Sequence, residues 1–412
     1  MSRIDLSRRF FLTRSAALGC SLAASPLLTP VTMASAPWDN RLVVIILRGG
    51  MDGLDAVRPH GAPEFAAYRG GLAGDAPDDL DLDGFFALHP AMAPLMPLWQ
   101  AGQLGFAHAV STPYRDKRSH FDGQDILEAG TGGPGSENAR DGWLNRMLQA
   151  VPGVEAETAY AIGRADMLLT RGAAEVADWS PDAALMLSPQ AELLLDRVMH
   201  DDPLFRDALQ EAVTLTRETV SAQTGDVPMD SAGMMNAMQD SMKAARKAGG
   251  EEEIARFAAD RLRGDTRIAA WSLSGFDTHA RQDRTLPRAL GALTDTVLAL
   301  RDGLGPVWQK TAVLAMTEFG RTARANGTGG TDHGTGGVMA MAGGALRGGR
   351  VVTDWPGLGE ADLYERRDLM PTRDLRAHAG WIMRQLFGLN ASLIETTVFP
   401  GLDLGGDPGL IL

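Results

Sequence analysis

Cysteine is almost missing from this chain of 412 residues: Cys20 is the only one. It lies in the first 36 residues, which read as a removable leader, so the expected mature protein has no cysteine. Disulfides, thiolate nucleophiles and cysteine-ligated metal sites are excluded together. A core of roughly 375 residues must then supply the stability, and a chain of that length buries enough apolar surface to do so. Long hydrophobic runs are missing too. The apolar stretch 15–28 falls short of the ~20 residues that span a bilayer, and no later stretch reaches that length. Basic charge is also scarce. The whole chain carries 39 Lys+Arg against 52 Asp+Glu. Setting apart Arg3, Arg8, Arg9, Arg14 and Asp5 of the leader leaves 35 against 51, a formal −16. Such a surface argues against nucleic acid and against an anionic membrane face as partners.

What is present begins with Ser7-Arg8-Arg9-Phe10-Phe11-Leu12, followed by the weakly apolar stretch. A paired arginine ahead of a short segment of small residues is a twin-arginine export signal. The twin-arginine translocation machinery is therefore an expected partner, and the periplasm or the exterior the expected destination. Cleavage is expected after Ala34 or Ala36, and Pro37 behind Ala36 favours the former. The mature domain then spans 37–412.

The run 42–47 is continuous, apolar and rich in β-branched residues, as in a strand buried on both faces. Similar short runs recur at 104–110, 268–273, 311–316 and 338–342. Helical patterns lie between or beyond them at 91–101, 193–221, 251–263 and 373–386. Strands alternating with helices predict an α/β fold, a doubly wound and mostly parallel sheet flanked by helices. The segment 152–250 is more helical and is expected to form a cap-like insertion. Its Met229, Met234, Met235, Met238 and Met242 suit either Cu(I) or an irregular apolar interface, and the second is the better reading.

In such a fold, ligands bind beyond the carboxyl ends of the strands. The first strand is followed by Gly49-Gly50-Met51-Asp52-Gly53, the 268–273 run by Gly275-Phe276-Asp277-Thr278-His279. After the 311–316 run come Glu318-Phe319-Gly320-Arg321-Thr322 and Gly330-Thr331-Asp332-His333-Gly334. Singly, Asp52 could cap a helix and Asp332 could make a turn. Together, carboxylates and imidazoles without sulfur suit one or two divalent ions, Zn²⁺, Mn²⁺, Mg²⁺ or Ca²⁺. The candidate metal ligands are Asp52, Asp277, His279, Asp332 and His333. A further block, Arg118-Ser119-His120-Phe121-Asp122, opens a helical pattern. Ser119 there is either a nucleophile or half of a capping box with Asp122. Arg118 and Arg321 are candidates to grip an anionic group, because guanidinium matches phosphate or sulfate oxygens.

These five blocks, in this order, resemble the signature blocks of the DUF1501 family, and the resemblance runs from about residue 40 to 390. Members are typically bacterial, exported by the twin-arginine route, and grouped with the alkaline phosphatase and sulfatase superfamily. The resemblance implies that Asp52 is the first metal ligand and Ser119 the nucleophile. It implies one ligand pair in Asp277 with His279 and another in Asp332 with His333. Asp277 and His279 stand two apart, where the superfamily's pair stands four apart. It also implies a further histidine near the C-terminus, for which His378 is the candidate and Glu318 or His120 the substitutes. The expected function is that of an exported, metal-dependent hydrolase of small phosphate or sulfate esters. A non-catalytic envelope protein that keeps the fold is the alternative.

Overall fold

The computed structural model describes residues 38–73, 80–115, 117–132, 140–151, 154, 158–162, 167–179 and 250–412. The expected export signal, the predicted helix 193–221 and the methionine-rich stretch lie outside the described residues.

In chain order the strands are β1 (Arg41–Leu47), β2 (Val57–Arg58), β3 (Leu80–Asp81), β4 (Ala87–Leu88), β5 (Leu104–Ser111) and β6 (Ala159–Ile162). They continue with β7 (Ala177–Trp179), β8 (Ile268–Leu273), β9 (Thr311–Thr317), β10 (Gly337–Ala342), β11 (Val351–Val352) and β12 (Arg373–Asp374). The longer helices are α1 (His120–Ala129), α2 (Trp143–Gln149), α3 (Gly250–Arg263), α4 (Gln282–Leu304) and α5 (Leu375–Phe387).

β1 is buried along its whole length because it has a parallel neighbour on each side, β8 and β9. Its side chains alternate between two cores, as the period of a strand requires. Val43, Ile45 and Leu47 point into one core, with Trp271 of β8, Ala255 and Leu262 of α3, and Leu290 and Val297 of α4. Leu42, Val44 and Ile46 point into the other, with Trp143 and Met147 of α2 and Ile382 and Met383 of α5. Helices on both faces explain why β1 reads as an unbroken apolar run.

The main sheet runs β11-β5-β10-β9-β1-β8-β6-β7, with β12 also paired to β5. Every pairing is parallel except those of β10, which is antiparallel to β5 and β9. The mostly parallel, doubly wound sheet expected from the sequence is therefore present, with one reversed strand inside it. Within the expected cap, β6 and β7 instead extend the sheet beyond β8. Four and three residues long, they are too short to stand out as apolar runs, and residues 180–249 lie outside the described residues. The 91–101 helix forms as a 3-10 turn, Pro90–Leu95, followed by the short helix Met96–Gln100. Pro94 and Pro97 lack the N–H groups that a continuous helix would use. No described helix is long and apolar enough to cross a membrane.

Candidate metal centre

β5 is antiparallel to β10, and β10 to β9, so β5 points the same way as β1, β8 and β9. The carboxyl ends of all four strands therefore share one edge. β10 starts at that edge, so residues 318–336 leave and return there. Backbones crowd at this edge, and glycine permits it. Gly49 has φ +118, and a Cβ there would lie 2.5 Å from the Asp277 nitrogen. At Gly320 a Cβ would lie 1.9 Å from the Gly336 carbonyl oxygen.

Four donor atoms converge there. Asp277 Oδ1 lies 3.2 Å from His279 Nε2, 3.5 Å from His120 Nε2 and 3.6 Å from His333 Nε2. His279 Nε2 is 2.9 Å from His333 Nε2. Each ring's other nitrogen meets an oxygen that can only accept. His120 Nδ1 is 2.8 Å from Glu318 Oε1, His333 Nδ1 2.8 Å from the Arg118 carbonyl, and His279 Nδ1 3.3 Å from Asp332 Oδ1. These acceptors place the ring proton on Nδ1 and leave an Nε2 lone pair on each neutral imidazole. Two lone pairs facing each other at 2.9 Å repel unless a proton or cation lies between them, and His120 Nε2 is buried with no hydrogen-bond partner. The donor set fits a divalent cation: His120, Asp277 and His333 each offer one atom within 4.8 Å of the others, and His279 Nε2 stands beside Asp277 and His333.

The electrostatics agree. Burial pushes the Asp277 carboxyl up, but the hydrogen bond and charge of Arg321 outweigh it and hold the carboxyl below its ordinary range. The hydrogen bond from Asn326 does the same for Asp332. Glu318 is also held down, its burial outweighed by hydrogen bonds from His120, Gln124 and the Gly49 amide. Burial lowers the His333 pKa and favours its neutral ring. The Glu318 hydrogen bond raises that of His120. Glu318 thus orients a ligand and strengthens its basicity, the role of a carboxylate behind a metal-bound imidazole. Glu318→Gln is expected to weaken metal affinity about 10- to 100-fold. Competition with a chromophoric chelator measures this, and an unchanged affinity would remove Glu318 from the centre.

The site residues expected from sequence divide sharply. Asp277, His279 and His333 come together with His120, and Asp332 stands behind His279. Asp52 does not join them. It is fully buried, and Arg69 grips it through Nη1 at 2.5 Å and Nη2 at 3.1 Å. Gln282 Nε2 and Thr331 Oγ1 donate to its Oδ2 at 2.7 and 3.1 Å. Arg321 is no anion clamp, because all three nitrogens of its buried guanidinium are already engaged. Buried, it donates to the carbonyls of Gly49, Gly50, Phe276 and Thr331 and to Asp277 Oδ1 at 2.6 Å. Its work is to knit the loops and aim Asp277. Arg118 is partly exposed and pairs with Glu365 at 3.0 Å. It has φ 52, a left-handed conformation that is uncommon outside glycine, and its carbonyl holds His333. Ser119 N-caps α1, accepting from the Asp122 amide at 3.4 Å, so the capping reading holds. His378 is buried on α5, where burial lowers its pKa to about 3.

A family model described as "Protein of unknown function (DUF1501)" matches residues 39–391. The chain belongs to the DUF1501 family. No curated protein matches it. Solved structures with some likeness to this DUF1501 chain include the lipoteichoic acid synthase LtaP from Listeria monocytogenes. That alignment covers 89% of this chain and 80% of that one, at 8% identity and a TM-score of 0.35. Ps i-CgsB in complex with k-i-k-neocarrahexaose aligns over 77% and 69% of the two chains, at 12% identity and a TM-score of 0.33. A mutant of TAB5 alkaline phosphatase with Mg bound aligns over 74% and 91%, at 10% identity and a TM-score of 0.31.

Proposed function

We propose that the protein is a metal-dependent hydrolase of phosphate or sulfate esters, working at a single divalent centre held by His120, Asp277, His279 and His333. The reading rests above all on the three Nε2 atoms facing Asp277 Oδ1 while each Nδ1 is fixed from behind. Three nitrogens and one oxygen suit Zn²⁺ or Mn²⁺ better than Mg²⁺ or Ca²⁺, which prefer all-oxygen shells. When bound, such an ion lowers the pKa of a hydroxyl or water and neutralises charge on a transferring group.

The chain's own residues supply the rest. Asp277 is half exposed, and so are His279 and Asp332, so the ligands face solvent that a substrate can displace. Arg321 fixes Asp277 so that its Oδ1 keeps its direction. Arg118 reaches an ester oxygen by exchanging its Glu365 partner, a partly exposed pair whose loss costs about 0–1 kcal/mol. Ser119, one residue before ligand His120, offers a hydroxyl at the amino end of α1, where the partial positive charge favours an anion. The role of nucleophile is proposed for it alongside the cap. Export of the folded protein through the twin-arginine pathway to the periplasm or beyond belongs to the same proposal, because folding before export lets the cytoplasm choose the ion.

The test is hydrolysis of aryl phosphates and aryl sulfates by the mature protein loaded with Zn²⁺ or Mn²⁺. Ser119→Ala is expected to lower kcat by at least about 100-fold, the low end for a covalent or proton-transfer role. Equal activity in the two proteins would leave Ser119 a cap only. No turnover by the loaded wild type on either ester class would overturn the hydrolase reading.

A further inference from the structure

Two carboxylates, one amide and two threonine hydroxyls meet behind the ligand loops, and none of them faces the ion. Gln282, Asp52, Asp55, Thr278 and Thr331 are all buried. Gln282 Nε2 donates to Asp52 Oδ2 and to Asp55 Oδ2, each at 2.7 Å. Gln282 Oε1 accepts from Thr278 Oγ1 at 2.9 Å and from Thr331 Oγ1 at 2.8 Å. Each carboxylate is also paired with an arginine, Asp52 with Arg69 and Asp55 with Arg58. Ionised carboxylates only accept, so the NH₂ of the amide must face them, which turns its oxygen to the two hydroxyls. Every hydrogen-bonding position of the Gln282 amide is thereby filled, in one orientation.

The two hydroxyls belong to two different ligand loops. Thr278 stands between Asp277 and His279, and Thr331 two residues before His333. Backbone bonds tie the loops at the same place. The Thr331 N–H donates to the Thr278 carbonyl at 3.2 Å, and the Gln282 N–H to the Gly329 carbonyl at 2.8 Å. Gln282 is the first residue of α4, whose Leu290 and Val297 are packed in the core under β1. The amide therefore sits on a rigid element and reaches both loops from it.

We infer that Gln282 is a positioning residue of the metal centre, which sets the spacing of the loops carrying Asp277, His279 and His333. His279 Nε2 and His333 Nε2 stand 2.9 Å apart, an approach that two facing lone pairs resist. The paired bonds from Thr278 and Thr331 to one carbonyl oxygen hold the roots of the loops together against that repulsion, and the ion then joins their tips. Asp52 and Asp55 serve the centre from a distance, as the acceptors that orient the amide. A buried polar network whose members are all satisfied specifies a single arrangement, and a partly satisfied one does not. The inference rests on the proposed metal centre but not on the hydrolysis of any ester.

The mature protein loaded with Co²⁺ provides the test, through chelator competition and through its visible absorption spectrum, which reports ligand geometry. Thr278→Val removes a hydroxyl that donates to Gln282 and keeps the shape of the side chain. Thr331→Val does the same in the other loop. Each is expected to weaken Co²⁺ binding by about tenfold or more and to shift the spectrum. Thr278→Ser and Thr331→Ser keep the hydroxyl and are expected to keep the wild-type affinity and spectrum. Circular dichroism checks the fold of each variant, and if one valine variant does not fold, the other decides. Wild-type affinity and spectrum in a folded valine variant overturn the inference. So does an equal loss in the matching serine variant, because the hydroxyl is then not the cause. A wild type that takes up no Co²⁺ overturns the centre itself, and the inference with it.

Discussion

Alanine at Asp277 is expected to leave the protein folded and without metal. Elemental analysis of the purified mature wild type after loading is expected to give about one divalent ion per chain, and the variant close to none. Asp277 supplies the only oxygen in the set, and its Oδ1 is the point to which all three Nε2 atoms are directed. Changes to a residue that only holds a ligand in place already cost about 10- to 100-fold in affinity, so losing a ligand costs more. The fold survives because the carboxylate is half exposed and Arg321 keeps its carbonyl partners at Gly49, Gly50, Phe276 and Thr331. Circular dichroism checks that point. A wild type that takes up no ion, or a variant that holds as much as the wild type, would sink the centre.

Asn at position 52 should do the opposite, costing stability while sparing the metal. Asp52 and Arg69 are both buried, and removing one charge of such a pair leaves the other without compensation, at about 3–5 kcal/mol. Denaturant unfolding of Asp52→Asn measures the loss, and its metal content is expected to match the wild type. Depleted metal in this variant, with the fold intact, would restore Asp52 as a ligand. Its pH dependence follows from the same contacts. Burial pushes the Asp52 carboxyl up, but Arg69 and Gln282 outweigh this and hold it below its ordinary value. The pair's contribution is therefore full above the unfolded carboxyl's pKa of about 3.9, and fades as pH falls through the lower folded value. Below about pH 4 the wild type loses stability that the variant lacks already.

The comparison of sequence with structure turns on how far each signal travels along the chain. The central strands were legible because β1, β5, β8, β9 and β10 are buried almost throughout and carry short apolar runs, broken only by His108 inside β5 and Ser272 inside β8. β6 and β7 were not, since their strand character comes from pairing with β8 and with each other. Asp277, His279 and His333 were legible because each sits in a glycine-flanked loop behind a strand. His120 entered only as a substitute, because its neighbour Ser119 carried the clearer local signal. Asp52 looked like a ligand by position. What decides its role is Arg69, seventeen residues on, and Gln282, two hundred and thirty away. No local pattern ties those three together. Arg321 misled for the same reason. A guanidinium that binds four carbonyls and one that binds phosphate are the same letter in a sequence.

The proposed ligands also come from three distant pieces of chain: the start of α1, the loop behind β8, and the returning loop before β10. An ion bound there is a staple. It closes two long stretches of backbone at the carboxyl edge of the sheet, so its release frees those loops while the two cores beneath keep their packing. Loading should then be readable as protection from protease at the loops around residues 118, 279 and 333, with the sheet resistant in either state. On the proposed twin-arginine route, the protein would leave the cytoplasm with that edge already pinned.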